Sequence, residues 1–345
     1  TGVAATDTAN IQAALNSIPV AGAGLGGGGV VILRQGIYVV NQITIFNEGT
    51  KLSGSGPGFT TTSTAPNCGS TLRAANPLSA DMLVILASQV MVENILFDGF
   101  GLAAGFALVS GNMGNTIFRD CAFVDIKAGN IGIKATTGQD LKILDCIFKI
   151  RESAVITVAR TPIAIKVGAA LGGFSQNVDI IGNHFMIVVE VSPTGAGSIV
   201  GKAIEMTKVF KAVIERNQIE GNSGFVLVTG VTTIGIELFT DGSAESKGVA
   251  IGNNNGRSLN NFIRQTTAFP KVAVCGNTYI KHVGTAPVID LVTGNTNWAI
   301  AGNVIEGATG VNLAAGADSN VVAGNIANVV NAGAGNSVVN NVAPL

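Results

Sequence analysis

Charge is scarce in this 345-residue chain: Lys, Arg, Asp and Glu together make up 12 %, where about a quarter is usual. The formal net charge is −1, with both signs mixed along the sequence. A nucleic-acid groove needs a concentrated basic face, so no nucleic-acid partner is expected. There are two His, and the four Cys (68, 121, 146 and 275) show no CxxC spacing. That pattern excludes a structural zinc site and a disulfide-dense scaffold, and neither a metal nor a cofactor is expected. Nine Pro, with no proline-rich or charged run, leave nothing that reads as a linker or disordered tail. The longest apolar stretch, Met82 to Leu86 with Val90 to Val92, is interrupted by Ser88 and Gln89. It is too short to span a bilayer, so no membrane insertion is expected. The chain starts at Thr1 with neither Met nor signal peptide, and is taken as processed or as a piece of a longer protein.

Glycine, by contrast, is plentiful at 46 residues, and one phrase recurs along the chain. Two or three β-branched residues precede a small residue, an Asn or Asp, one further residue and an apolar residue. Its copies centre on Asn94, Asp120, Asp145, Asn183, Asn217, Asn253, Asn277, Asn303, Asn325 and Asn340. A strand, a sharp turn at Asn and another strand, repeated about every 25 residues, is one coil of a parallel β-helix. Asn tolerates the left-handed backbone of such a turn, and its amide can bond to the Asn one coil above. An antiparallel sandwich is the alternative, disfavoured by the fixed Asn register.

The N-terminus fits a coil with a plug. Asp7 reads as a helix N-cap, and Ile11, Ala14, Leu15 and Ile18 share one helix face. This helix would cover the first open edge of the coil. A turn at 26–29, strands at Val30–Leu33 and Tyr38–Phe46, and a closing segment Lys51–Gly56 follow. The expected organisation is one domain, 1–345: a cap at 1–29, coils over 30–318, and a tapered, uncharged tip at 319–345.

A second phrase carries the charge. Gly132-Ile133-Lys134-Ala135 is matched by Ala164-Ile165-Lys166-Val167, Ala203-Ile204-Glu205-Met206, Gly235-Ile236-Glu237-Leu238 and Phe262-Ile263-Arg264-Gln265. Val288-Ile289-Asp290-Leu291 and Gly310-Val311-Asn312-Leu313 complete the series. Strand alternation sends the β-branched residue inward and its neighbour outward. Lys134, Lys166, Glu205, Glu237, Arg264, Asp290 and Asn312 should therefore form one exterior column, about 4.8 Å from rung to rung. Glu205 beside Glu237 is the exception to its pairing of opposite charges. Two such close carboxylates should raise one pKa, giving a proton donor and a carboxylate. Lys166 and Arg264 would flank the pair and could hold an acidic sugar, with Asp290 next in line. The competing reading is a plain salt-bridge ladder, Lys166–Glu205 and Glu237–Arg264–Asp290, worth little when exposed.

Coil length points to the same place. The intervals Asp145–Asn183, Asn183–Asn217 and Asn217–Asn253 are 38, 34 and 36 residues, and they bracket the Glu pair. The surplus should leave as loops at 151–161, 191–198, 221–230 and 240–247. Asp241 and Glu245 in the last loop are further candidate acids. His184 and His282 read as surface or turn residues. Cys121 and Cys146, at one repeat position on adjacent coils, read as stacked thiols or, alternatively, a bridge. Phe97, Phe123, Phe148 and Phe185 read as an internal stack, whereas Trp298 is a candidate sugar platform.

The opening Asp7-Thr8-Ala9-Asn10-Ile11-Gln12-Ala13-Ala14-Leu15, with Val30-Val31-Ile32-Leu33, Gly36-Ile37-Tyr38 and Leu52-Ser53-Gly54-Ser55-Gly56, resembles the start of the pectate-lyase-like superfamily. Within it the look is nearest to phage tailspikes and polysaccharide depolymerases. The resemblance implies an all-β, right-handed parallel β-helix with a short capping helix. It also implies a virion-tail or extracellular protein that binds, and could depolymerise, a bacterial surface polysaccharide in a groove walled by the loops. Its further partners would be other copies in a homotrimer and other tail proteins. The acidic cluster of the pectate lyases, and the catalytic motifs of the polygalacturonases and alginate epimerases, have no counterpart here, so no catalytic residue carries over. A secreted polysaccharide lyase or hydrolase and a non-catalytic fibre or adhesin are the alternatives.

Overall fold

The computed structural model describes residues 3–343 apart from 21–26, 58–68, 76–77, 100–104, 111–113, 128, 137, 153–156, 169–174, 190–196, 222–229, 240–246, 268, 281–285, 293, 295–296 and 307–308. The chain winds into three all-parallel sheets, a right-handed β-helix with one helix at its N-terminal end. Strands Gly29–Ile32, Gly36–Val40 and Ile43–Ile45 begin the first, second and third sheets. They pair in parallel with Thr50–Ser53, Ser70–Ala74 and Leu83–Ile85 one turn later.

The repeated Asn resolves into two adjacent positions with different jobs. The first is a left-handed turn residue: Asn94, Asp120, Asp145, Arg216, Asn253 and Asn340 have φ between 51° and 58°, and Gly182, Gly276, Gly302 and Gly324 take the same place. The second points inward. There, Asn183, Asn217, Asn254, Asn277, Asn303, Asn325 and Asn341 each accept, through Oδ1, from the backbone N–H one coil below, at 2.9–3.0 Å. Each Nδ2 from Asn183 to Asn325 also donates to the next Oδ1, at 2.9–3.0 Å. The ladder thus runs through Asn254 and Asn341, not Asn253 and Asn340. In earlier coils the inward position is Ile95, Cys121 or Cys146, all buried. Both cysteines are free thiols, and burial pushes the Cys146 thiol well up.

The core is a set of such columns. Phe97, Phe123, Phe148 and Phe185 stack with ring centroids 4.7, 4.9 and 5.0 Å apart. Further along the column stands Gly256, where an added Cβ would lie 2.6 Å from ring carbons of both Phe262 and Tyr279. The glycine leaves the space that the Phe262 ring fills. Trp298 is also core, 1 % exposed, with Nε1–H donating to the Phe269 carbonyl at 2.6 Å. It is not a sugar platform, because both its ring and its polar handle are already used.

The helix spans Ala4–Asn16, so Asp7 is not its N-cap but a buried residue in its first turn. Asp7 Oδ2 accepts from the Val39 N–H at 3.0 Å, and Thr8 Oγ1 from the Asn41 N–H at 3.0 Å. Gln12 accepts from the Thr44 N–H at 2.8 Å and donates to the Thr44 carbonyl at 2.9 Å. The helix thereby supplies the first coil with the hydrogen bonds that a preceding coil would have made. At the other end Val321, Val330, Val338, Val339 and Val342 are exposed.

Candidate functional site

The charged column forms in the expected register on the third sheet. Lys134 pairs with Lys166, Lys166 with Glu205, Glu205 with Glu237, Glu237 with Arg264, Arg264 with Asp290, and Asp290 with Asn312. Although they project outward, Glu205 and Glu237 are only 3 % and 5 % exposed. The reason is a residue the repeat does not reveal. Lys202 lies three residues before Glu205 and sends its Nζ between the two carboxylates, 2.6 Å from Glu205 Oε2 and in contact with Glu237 Oε2. Lys166 Nζ closes on Glu205 Oε1 at 2.7 Å.

This fourfold network works against Glu205 as the expected proton donor. Burial works to raise the Glu205 pKa, but hydrogen bonds and charge from Lys166 and Lys202 outweigh it, and the pKa is lowered. Lys202 is likewise held charged: burial lowers its pKa, and the two carboxylates more than restore it. Glu205 is thus a fixed anion. Lys166 is committed to Glu205 rather than free to grip a sugar, as the ladder reading anticipated for that pair. The Glu237–Arg264–Asp290 half of that ladder does not form. Arg264 is half-buried and makes no ion pair among the described residues, and Asp290 Oδ1 accepts from Asn312 Nδ2 at 2.8 Å.

Lys202 escapes a search by periodicity because its register partners on the neighbouring coils are Ile163 and Ile234. Regular alternation would also place Lys202 and Glu205 on opposite faces. Ala203 drops out of the pairing register between Lys202 and Ile204, and the two charges meet on one side. The only signal in the sequence was an isolated Lys three residues from a Glu.

The long coils do more than shed loops. Strands Ser198–Met206 and Val231–Leu238 extend beyond the ordinary third-sheet length, and Ala159–Arg160 pairs with the first extension. Val189, Ile199 and Val231 form a small apolar cluster separate from the main core. Asp241 and Glu245 lie outside the described residues, as does His282. On the second sheet, His184 Nε2 is 3.4 Å from Glu220 Oε1, and Arg257 pairs with Glu220 at 2.7 Å. Glu220 has a lowered pKa, since Arg257 and Gln218 outweigh its burial.

No protein-family model matches the chain, and no curated sequence is similar to it. The solved structures define its class, a right-handed β-helix. ORF18 of Geobacillus virus E2 is similar with a TM-score of 0.57 and 15 % identity, over 89 % of this chain. The chain spans 55 % of that protein's length. DFA-IIIase from Arthrobacter chlorophenolicus A6 is similar at a TM-score of 0.57 and 18 % identity, over 96 % of this chain and 81 % of the enzyme. A structure of the same enzyme without its lid has a TM-score of 0.57 and 16 % identity, covering 98 % of this chain and 94 % of the other.

Proposed function

We propose that this chain is a tailspike-like protein, of a virion tail or the extracellular space, that binds a bacterial surface polysaccharide along the third-sheet ladder. The carrying observation is the ladder: charged side chains on successive rungs, about 4.8 Å apart, close to the length of one hexose. A periodic row of donors and acceptors suits a periodic ligand, with Arg264 and Asp290 making direct contact. The Lys166–Glu205–Lys202–Glu237 network beneath is a rigid floor. Likeness in fold to a virus protein and to DFA-IIIase, solved with GF2 and with DFA-III bound, supports the reading. Other copies in a homotrimer and other tail proteins remain the proposed partners. The exterior of the first sheet over the C-terminal coils supports self-association: Ala273, Ala299, Cys275, Ala301, Val321 and Val339 form an exposed face of small, uncharged residues there.

Binding rather than cleavage at the Glu pair is favoured because Glu205 is held ionised by two lysines. A second reading, depolymerisation by Asp241 and Glu245, is favoured by their position just downstream of the strand that carries Glu237. One experiment tests both. Wild type, Arg264→Ala, Glu205→Gln, Asp241→Asn and Glu245→Gln are incubated with a panel of capsular and exopolysaccharides. Retention, new reducing ends and absorbance at 235 nm are measured. Retention without product, weakened in Arg264→Ala, is expected. Product formation lost in Asp241→Asn or Glu245→Gln would establish the second reading, and no retention of any glycan would overturn the proposal.

A further inference from the structure

The ladder's charges do not cancel evenly, and this rests on the glycan-binding reading above. The inner four, Lys166, Lys202, Glu205 and Glu237, neutralise one another through three ion pairs. Asp290 beyond them accepts a hydrogen bond from Asn312, a neutral amide that leaves its negative charge in place one rung from Arg264. The two remaining ladder cations are Lys134 and Arg264, both half-buried, and neither forms an ion pair or hydrogen bond among the described residues. Lys134 is the more isolated. Its register neighbours are Leu108 on one side and Lys166, already spent on Glu205, on the other. Arg264 lies between Glu237 and Asp290 in the register yet bonds to neither, so its guanidinium donors have no partner among the described residues.

Lys134 and Arg264 stand four rungs apart, one at each end of the neutral stretch, a distance of about 19 Å at the parallel-strand spacing. We propose that the ladder selects an acidic glycan over a neutral one, with anionic groups of the chain seated at Lys134 and Arg264. The neutral floor between them would carry the intervening sugars. The ligand class is a polysaccharide bearing carboxylates at intervals that let two of them reach both ends together. A carboxylate on every sugar or on every second sugar satisfies this. A neutral chain does not.

The test uses the full chain and three probes: polygalacturonate, with a carboxylate on every residue; hyaluronan, with one on every second residue; and neutral dextran. Equilibrium binding is measured from 20 to 500 mM NaCl for wild type, Lys134→Ala, Arg264→Ala, the double variant, and Lys149→Ala on the second sheet as a control. Melting curves confirm that each variant folds. The acidic probes should bind more tightly than dextran, and more weakly as salt rises. Each single substitution should weaken acidic-glycan binding about fivefold at low salt. The double variant should lose most of the salt dependence, and Lys149→Ala should match wild type. Dextran bound as tightly as the acidic probes, or salt dependence kept by the double variant, overturns the acidic-glycan inference while leaving glycan binding standing. Binding of none of the probes, with the polysaccharide panel also negative, overturns the underlying reading itself.

Discussion

At the scale of single residues, the two neighbouring asparagines 253 and 254 show what a shared letter conceals. Asn253 is there for its backbone, at φ 55°, and Asn254 for its side chain, which accepts from Asn217 and donates to Asn277. The two substitutions should therefore part company. Asn253→Gly keeps the turn and should change stability by less than about 1 kcal/mol. Asn254→Ala strands a buried N–H and two amide partners and should cost about 2–4 kcal/mol. Chemical denaturation of the two variants measures the difference. Equal costs would mean that the ladder contributes nothing beyond its turns.

The element scale is where sequence and structure diverge most usefully. Strand alternation is a local rule, so the inward stack of Phe97, Phe123, Phe148 and Phe185 and the outward column from Lys134 to Asn312 were both legible. Lys202 was not, because its position repeats as Ile163 and Ile234 and because the interruption at Ala203 breaks the alternation. Nor were the jobs of Asp7 and Gln12: a helix that pairs with a strand edge through its side chains leaves no periodic trace. Lys202→Met should leave two buried carboxylates with one lysine and cost about 3–5 kcal/mol. Replacing Lys202, Glu205 and Glu237 together with Met, Leu and Leu should cost less than the single change, since the one charge left over, on the partly exposed Lys166, can reach solvent. Asp7→Ala should expose the Val39 N–H edge and cost about 1–3 kcal/mol. Hydrogen exchange would show it as faster exchange confined to the first coil.

For the whole molecule, the fixed charges set a pH window. Glu93 has a lowered pKa because Lys51, with Arg119 and Ser53, outweighs its burial, and Glu205 and Glu220 are lowered as well. All three bind a proton less readily folded than unfolded. Their stabilisation is complete above the ordinary glutamate range and disappears as pH falls through the depressed folded values. The melting temperature should hold near neutral pH and drop below about pH 4. A flat profile from pH 6 to pH 2 would show that these pairs add nothing net. Lys202, raised instead, keeps its contribution until pH passes above the ordinary lysine range.

The central claim, that a polysaccharide lies along the third-sheet ladder, is tested most directly by lysine acetylation with and without bound glycan, read by mass spectrometry. Lys134 faces outward on the third sheet and Lys149 on the second, and both are half-buried, so they report on two faces of one molecule. Glycan should protect Lys134 and leave Lys149 as reactive as before. Protection of Lys149 alone, or of neither lysine while glycan is demonstrably bound, would contradict the claim.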